Sequence, residues 1–159
     1  MRELLSSYRM NQSMIKAFLG DLPAERMAEM PGGVNPPAWI IGHLCIAGDG
    51  MLKLLGQSPV CPASYEKLFD MKSTPTDDLA AYPSKDELVA TYEKIATMVT
   101  VVMESVTDET LNAENPMEGL RQPLPTIGDM LSFMMTVHEA MHVGQLSAWR
   151  RASGYKPLF

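Results

Sequence analysis

Apolar residues recur along this chain at helical spacing, and four stretches each carry a continuous inward stripe. In the first, from about Arg2 to Leu19, Leu4, Leu5, Tyr8, Ile15 and Phe18 share one side, and Gly20 and Pro23 punctuate the end. A short helical turn is predicted from Pro23 to Met30, before the loop Pro31-Gly32-Gly33-Val34. Asn35-Pro36-Pro37 opens the second stretch, with asparagine as the expected cap and proline tolerated in the first turn. Trp39, Ile40, His43, Ala47, Met51 and Leu54 then align as far as about Leu55. Ser84 and Glu87 give the third stretch a capping-box signature, followed by a seam of Leu88, Tyr92, Ile95, Val99, Val102 and Val106. The fourth begins at Thr126, its cap completed by Asp129, and runs to about Ala152 before Gly154 stops it. Ile127, Met130, Leu131, Met134, His138, Met141, His142, Gln145 and Trp149 mark its expected buried side. No segment alternates with the period of two that a half-buried strand needs. The pattern therefore predicts an all-α fold, a four-helix bundle in a single domain over 1–159.

The connection from Gly56 to Pro83 is far longer than adjacent antiparallel helices require. Such length permits a crossover between helices two and three, and Tyr65, Leu68, Phe69 and Met71 are expected to pack it over the bundle. A second, shorter cover spans Asn112 to Pro125.

Composition narrows the function classes. A net charge of −6 without any lysine or arginine stripe disfavours binding to nucleic acid. No apolar run reaches the ~20 residues of a membrane helix, and the N-terminus lacks a secretory pattern, so a cytoplasmic protein is expected. Cys45 and Cys61 are too few for a disulfide framework and read as passive thiols. Arg150 and Arg151 suit the C-terminal end of a helix dipole, or alternatively anchor a substrate carboxylate. Most of the 14 methionines read as core filler, while Met134, Met135 and Met141 are expected to give yielding walls near the histidines.

The candidate chemistry lies in three histidines, the whole complement of the chain. His138 and His142 are four residues apart, so their side chains lie about 40° apart on one helix face. His43 sits in the middle of an inward stripe, where an unpaired polar ring is costly to bury. Three imidazoles with a free fourth position make the catalytic form of a zinc-type site. Histidines four apart that merely pack or hydrogen-bond are the plainer alternative. Glu139 lies about 100° from His138 and about 60° from His142 on the helical wheel. It is a candidate general base, a hydrogen-bond partner of a ligand imidazole, or a solvated or inter-helix carboxylate. Trp39, Met134 and Gln145 are candidates for pocket walls or for groups that hold the ligands from behind.

His138-Glu139-x-x-His142 also matches the zinc-protease helix literally. The residues after His142 contain no Asp, Glu or His to serve as the downstream third ligand, and there is no strand to hold a peptide. A protease is therefore disfavoured.

Two segments carry a resemblance that spans nearly the whole chain. Asn35-Pro-Pro-Ala-Trp39-Ile-Ile-Gly-His43-Leu44 and His138-Glu-Ala-Met-His142-Val-Gly144-Gln145-Leu146 are similar to the DinB-like family of metal-binding four-helix bundles. Arg150-Arg-Ala-Ser-Gly154, Pro157-Leu-Phe159 and Ala81-Tyr-Pro-Ser84-Lys-Asp-Glu87-Leu88 extend it. The resemblance implies a divalent ion, zinc or nickel foremost, held by His43, His138 and His142. It also implies a homodimer, and a transferase or isomerase that joins a low-molecular-weight thiol to a small electrophilic substrate. A metal-dependent hydrolase and a non-catalytic metal- or ligand-binding bundle are the alternatives.

Overall fold

The computed structural model describes residues 1–158. Its helices, in chain order, are α1 (Arg2–Gly20), α2 (Pro37–Leu54), α3 (Ser64–Phe69), α4 (Lys85–Met103), α5 (Asp108–Asn112), α6 (Ile127–Phe133) and α7 (Glu139–Ala152). A single π-helical turn, Met134–His138, joins α6 to α7. Among the described residues the only β pairing is the isolated bridge between Glu114 and Thr126. The fold is an all-α bundle of α1, α2, α4 and the composite last helix.

Side-chain contacts fix the directions. Lys85, at the start of α4, donates to the carbonyls of Leu19 and Leu22 at 2.6 and 2.5 Å, while Arg9 pairs with Glu104 at 2.6 Å. Residue numbers run oppositely, so α1 and α4 are antiparallel. The Cys45 thiol lies 3.8 Å from the Leu88 carbonyl, and one turn later Gly48 abuts Ile95, so α2 and α4 run parallel. Asn11 reaches the Met135 carbonyl and Arg150 the Phe18 carbonyl, which makes α1 and α7 parallel as well. The order is up-down-down-up. Parallel neighbours oblige the chain to travel back along a helix of about 27 Å, which accounts for the long crossover.

The crossover is part of the core. Tyr65 and Phe69 of α3 are fully buried, each removing roughly 1.5–3 kcal/mol worth of apolar surface from water. Met71, expected to pack alongside them, is 78% exposed. A methyl group at Gly42 would overlap the Phe69 ring, and one at Gly48 would overlap Ile95. Gly42 and Gly48 are thus what lets the crossover and α4 lie against α2.

Further expectations need correction. Asn35 is not the cap of α2: Pro36 holds that position, and the Ala38 amide donates to the Met27 carbonyl at 2.9 Å. Two consecutive prolines leave a capping side chain almost no free amide to serve. Arg150 lies in the last turn of α7, as the dipole reading expected, but it is not exposed to anchor a substrate. It is buried, bonded to the Phe18 carbonyl at 2.7 Å and to both Asp21 oxygens at 2.5 and 2.9 Å, with Tyr155 stacked 4.4 Å away. That guanidinium holds the Asp21 carboxyl below its ordinary range.

The last helix is not one uninterrupted α-helix. A π turn absorbs one extra residue, so everything after it is turned by about one residue step, ~100°. The inward stripe accordingly passes from Met130, Leu131 and Met135 to Glu139, His142, Val143, Leu146 and Trp149. Met141, expected inside, is 52% exposed, and Glu139 is 3% exposed. Thr136 marks the irregularity, its hydroxyl donating back to the Ser132 carbonyl at 2.6 Å.

Candidate metal centre

His43 from the middle of α2 meets His138 and His142 at the junction of the π turn and α7. His138 Nε2 lies 3.3 Å from His43 Nε2 and 3.3 Å from His142 Nε2. One ring nitrogen from each of the three falls within 4.8 Å of the others. For imidazoles bound at 2.0–2.1 Å, the edge of a tetrahedron is roughly 3.3–3.4 Å. The spacing is that of ligands around one ion.

The tautomers point the same way. His43 Nδ1 lies 2.8 Å from the Phe69 carbonyl, which can only accept, so the ring proton is on Nδ1 and Nε2 carries a lone pair. His142 Nδ1 lies 2.9 Å from Gln145 Oε1, an acceptor, with the same consequence. Two lone pairs therefore face His138 Nε2, and one proton there could satisfy only one of them. A shared cation satisfies all three. Burial, with the other rings adding to it, lowers both His138 and His142 to about 4, so both stay neutral and ready to ligate near pH 7.

Two of the three rings, His43 and His142, are held from behind by groups that fix them. Trp39 stacks flat on His43, with centroids 4.9 Å apart and planes 6° apart, and its Nε1–H donates to Ser73 Oγ at 2.8 Å. The crossover thus supports His43 twice, through Phe69 and through Ser73. Gln145 holds His142. Phe133 lies 6.2 Å from His138.

Met134 lines a narrow cavity beside His138 and Glu139, together with Tyr8, Leu44 and Tyr92. Its volume of about 10 Å³ suits one water centre. Glu139 Oε1 accepts a hydrogen bond from the Tyr92 hydroxyl, and Oε2 is buried without a partner. Burial raises the Glu139 carboxyl to about 8, with the Tyr92 hydrogen bond opposing the shift. Burial, with Glu139 nearby, also holds the phenols of Tyr8 and Tyr92 well above their ordinary range. A solvated carboxylate at position 139 is excluded. Of the methionines expected at the site, Met135 lies in the core and Met141 faces outward.

Several contributors escaped the sequence pattern. The Phe69 carbonyl and Ser73 are 26 and 34 residues from their partners, and nothing local marks them. Gly42 beside His43 was a visible signal: its missing side chain admits the Phe69 ring. Tyr92 looked like one more seam residue. Asn11, a lone amide on an apolar stripe, was another visible anomaly. The two cysteines prove to be neighbours, and the Cys45 thiol and burial push the Cys61 thiol far up, away from reactive thiolate.

An up-down-down-up bundle with three imidazoles converging from its second and last helices defines a class of metal-binding helical proteins. The DinB superfamily model matches residues 7–146, and the chain belongs to that family. No curated protein matches it.

Proposed function

We propose that this chain is a divalent-metal-dependent enzyme, a transferase or isomerase that brings the thiol of a low-molecular-weight co-substrate to a small electrophilic molecule. One observation carries most weight: three Nε2 atoms at ligand spacing, with two Nδ1 positions tied off. His43, His138 and His142 would hold the ion, with zinc or nickel the foremost candidates for three imidazoles. Three neutral ligands leave its charge uncompensated, so it would lower the pKa of a thiol or water it binds.

The protein's own groups have separable tasks. Trp39, Phe69 and Gln145 orient the rings. Met134 and Tyr92 wall the recess behind His138. Glu139 Oε2 is unpartnered at a cavity of one-water size; it would accept a proton released beside His138 only once ionised, which burial delays to about pH 8.

A homodimer and a cytoplasmic setting belong to the same proposal. Val137 and Met141 leave half their surface uncovered one turn apart on the last helix, and sedimentation velocity tests whether a second copy covers them. Two free thiols and a thiol co-substrate suit a reducing compartment. Among the described residues no helix is long and apolar enough to cross a membrane.

The deciding experiment strips the protein with a chelator, reloads it with zinc or nickel, and follows a chromogenic electrophile with and without several common thiols. Turnover that requires both metal and thiol is expected. Product formed equally without thiol would establish a hydrolase instead. A loaded protein that turns over nothing would leave a binding bundle.

A further inference from the structure

The π turn has a partner on a different helix. Asn11 is 9% exposed, on the inward stripe of α1 between Tyr8 and Ile15. Its Nδ2 donates to the Met135 carbonyl at 3.3 Å and to the Thr136 carbonyl at 3.4 Å. Both carbonyls belong to the π turn, where the regular ladder of backbone hydrogen bonds is interrupted. A buried amide is retained in a core when it satisfies groups that would otherwise be orphaned.

The ligands depend on that turn. His138 is its last residue, and His142 lies one turn beyond. Without the extra residue, the stripe Met134, His138, Met141, Gln145 would face inward, and α7 would be rotated by about one residue step, ~100°. Met141 would be buried and Glu139 turned out. The observed phase buries Glu139 and His142 and brings His138 Nε2 to within 3.3 Å of His43 Nε2.

We infer that Asn11 is a positioning residue for the metal centre: by pinning the π turn it sets the rotation of α7 that brings His138 and His142 onto the same point as His43. This inference rests on the metal-binding proposal above. Asn11 bonds to the backbone of the turn and not to a ligand ring, so α1 acts on the three histidines through the last helix.

Asn11→Leu keeps the shape and removes both donors. The full-length protein is stripped and loaded with cobalt(II), whose visible absorption reports ligand geometry, and affinity is read by competition with a chromophoric chelator. Val99→Ala, a buried truncation on α4, serves as the control for lost stability. Asn11→Leu is expected to weaken cobalt binding by ~10–100-fold, the range for groups that orient metal ligands, and to change the absorption envelope. Val99→Ala is expected to lower the melting temperature while keeping the wild-type spectrum and affinity. Should Asn11→Leu not fold, Asn11→Ala decides, because it removes the donor without adding bulk; a loss of at least ~5-fold is expected. Wild-type affinity and spectrum in the folded Asn11 variant overturn the inference while leaving the metal proposal intact. Wild-type protein that takes up no cobalt overturns the metal proposal and this inference together.

Discussion

His142 shows how a single ring is prepared for ligation. Its Nδ1 proton is committed to Gln145, its pKa is depressed mainly by burial, and its Nε2 faces two other rings. Gln145→Leu frees the ring to rotate and change tautomer. Metal affinity is expected to fall ~10–100-fold with little loss of stability in chelated protein, measured by chelator competition and thermal melting. The titrations of the chelated protein follow from two opposed shifts. His138 and His142 have folded values of about 4 against an ordinary 6.5, so the unfolded state binds more protons between those limits. Their contribution is lost as pH falls from about 6.5 to about 4. Glu139 has a folded value of about 8 against 4.5, so there the folded state binds more protons, and stability is lost as pH rises through that window. Near pH 6.5 the three together are most favourable. Wild type should lose roughly 2 kcal/mol between pH 6 and pH 8.5 relative to Glu139→Gln, read from urea melts at both pH values. Parallel pH dependence in the two proteins would show that Glu139 is not a buried acid. The histidine pair was legible in the sequence because four residues fix an angle. Glu139 was not, because its burial follows from an inserted residue that no spacing rule anticipates.

At the scale of elements, α2 is the organiser. Its stripe and its histidine were readable from periodicity, but its two packed glycines, Gly42 and Gly48, act separately. Gly42 admits the Phe69 ring and so brings the Phe69 carbonyl to His43. Gly48 admits Ile95 and sets the approach of α4. Gly42→Ala and Gly48→Ala should each cost about 1–3 kcal/mol through overpacking. Only Gly42→Ala should also weaken metal binding, because it displaces the support of a ligand. Equal effects on the affinity of both variants would mean that the crossover merely covers the bundle. The crossover's length announced its importance, and Tyr65 and Phe69 announced its apolar content. Its hydrogen bonds to the site remained invisible because the partners are far apart in sequence. The composite last helix is the opposite case: its ends were set by Thr126 and Gly154, whereas its phase was set from outside, by a side chain of α1.

The whole molecule joins these scales through topology. Parallel α2 and α4 demand the long return, the return places Phe69 and Ser73 behind the site, and the antiparallel last helix brings its histidines across from α2. The three ligand nitrogens therefore meet only when α2, the crossover and the last helix are all docked. An ion bound there binds the folded chain and has no comparable trio in the unfolded one, so metal binding and folding are linked. At a free metal concentration 100 times the dissociation constant, the linkage amounts to about 2.7 kcal/mol. For a chain of this length, that corresponds to a rise in melting temperature of roughly 5–10 °C. The rise should grow with the logarithm of metal concentration, and His43→Ala should abolish it. His43→Ala should at the same time leave chelated protein folded, since Trp39 and the apolar stripe of α2 remain. Differential scanning calorimetry over a series of zinc concentrations separates the outcomes. A melting temperature that ignores zinc in the wild type would mean that the three imidazoles converge without holding an ion.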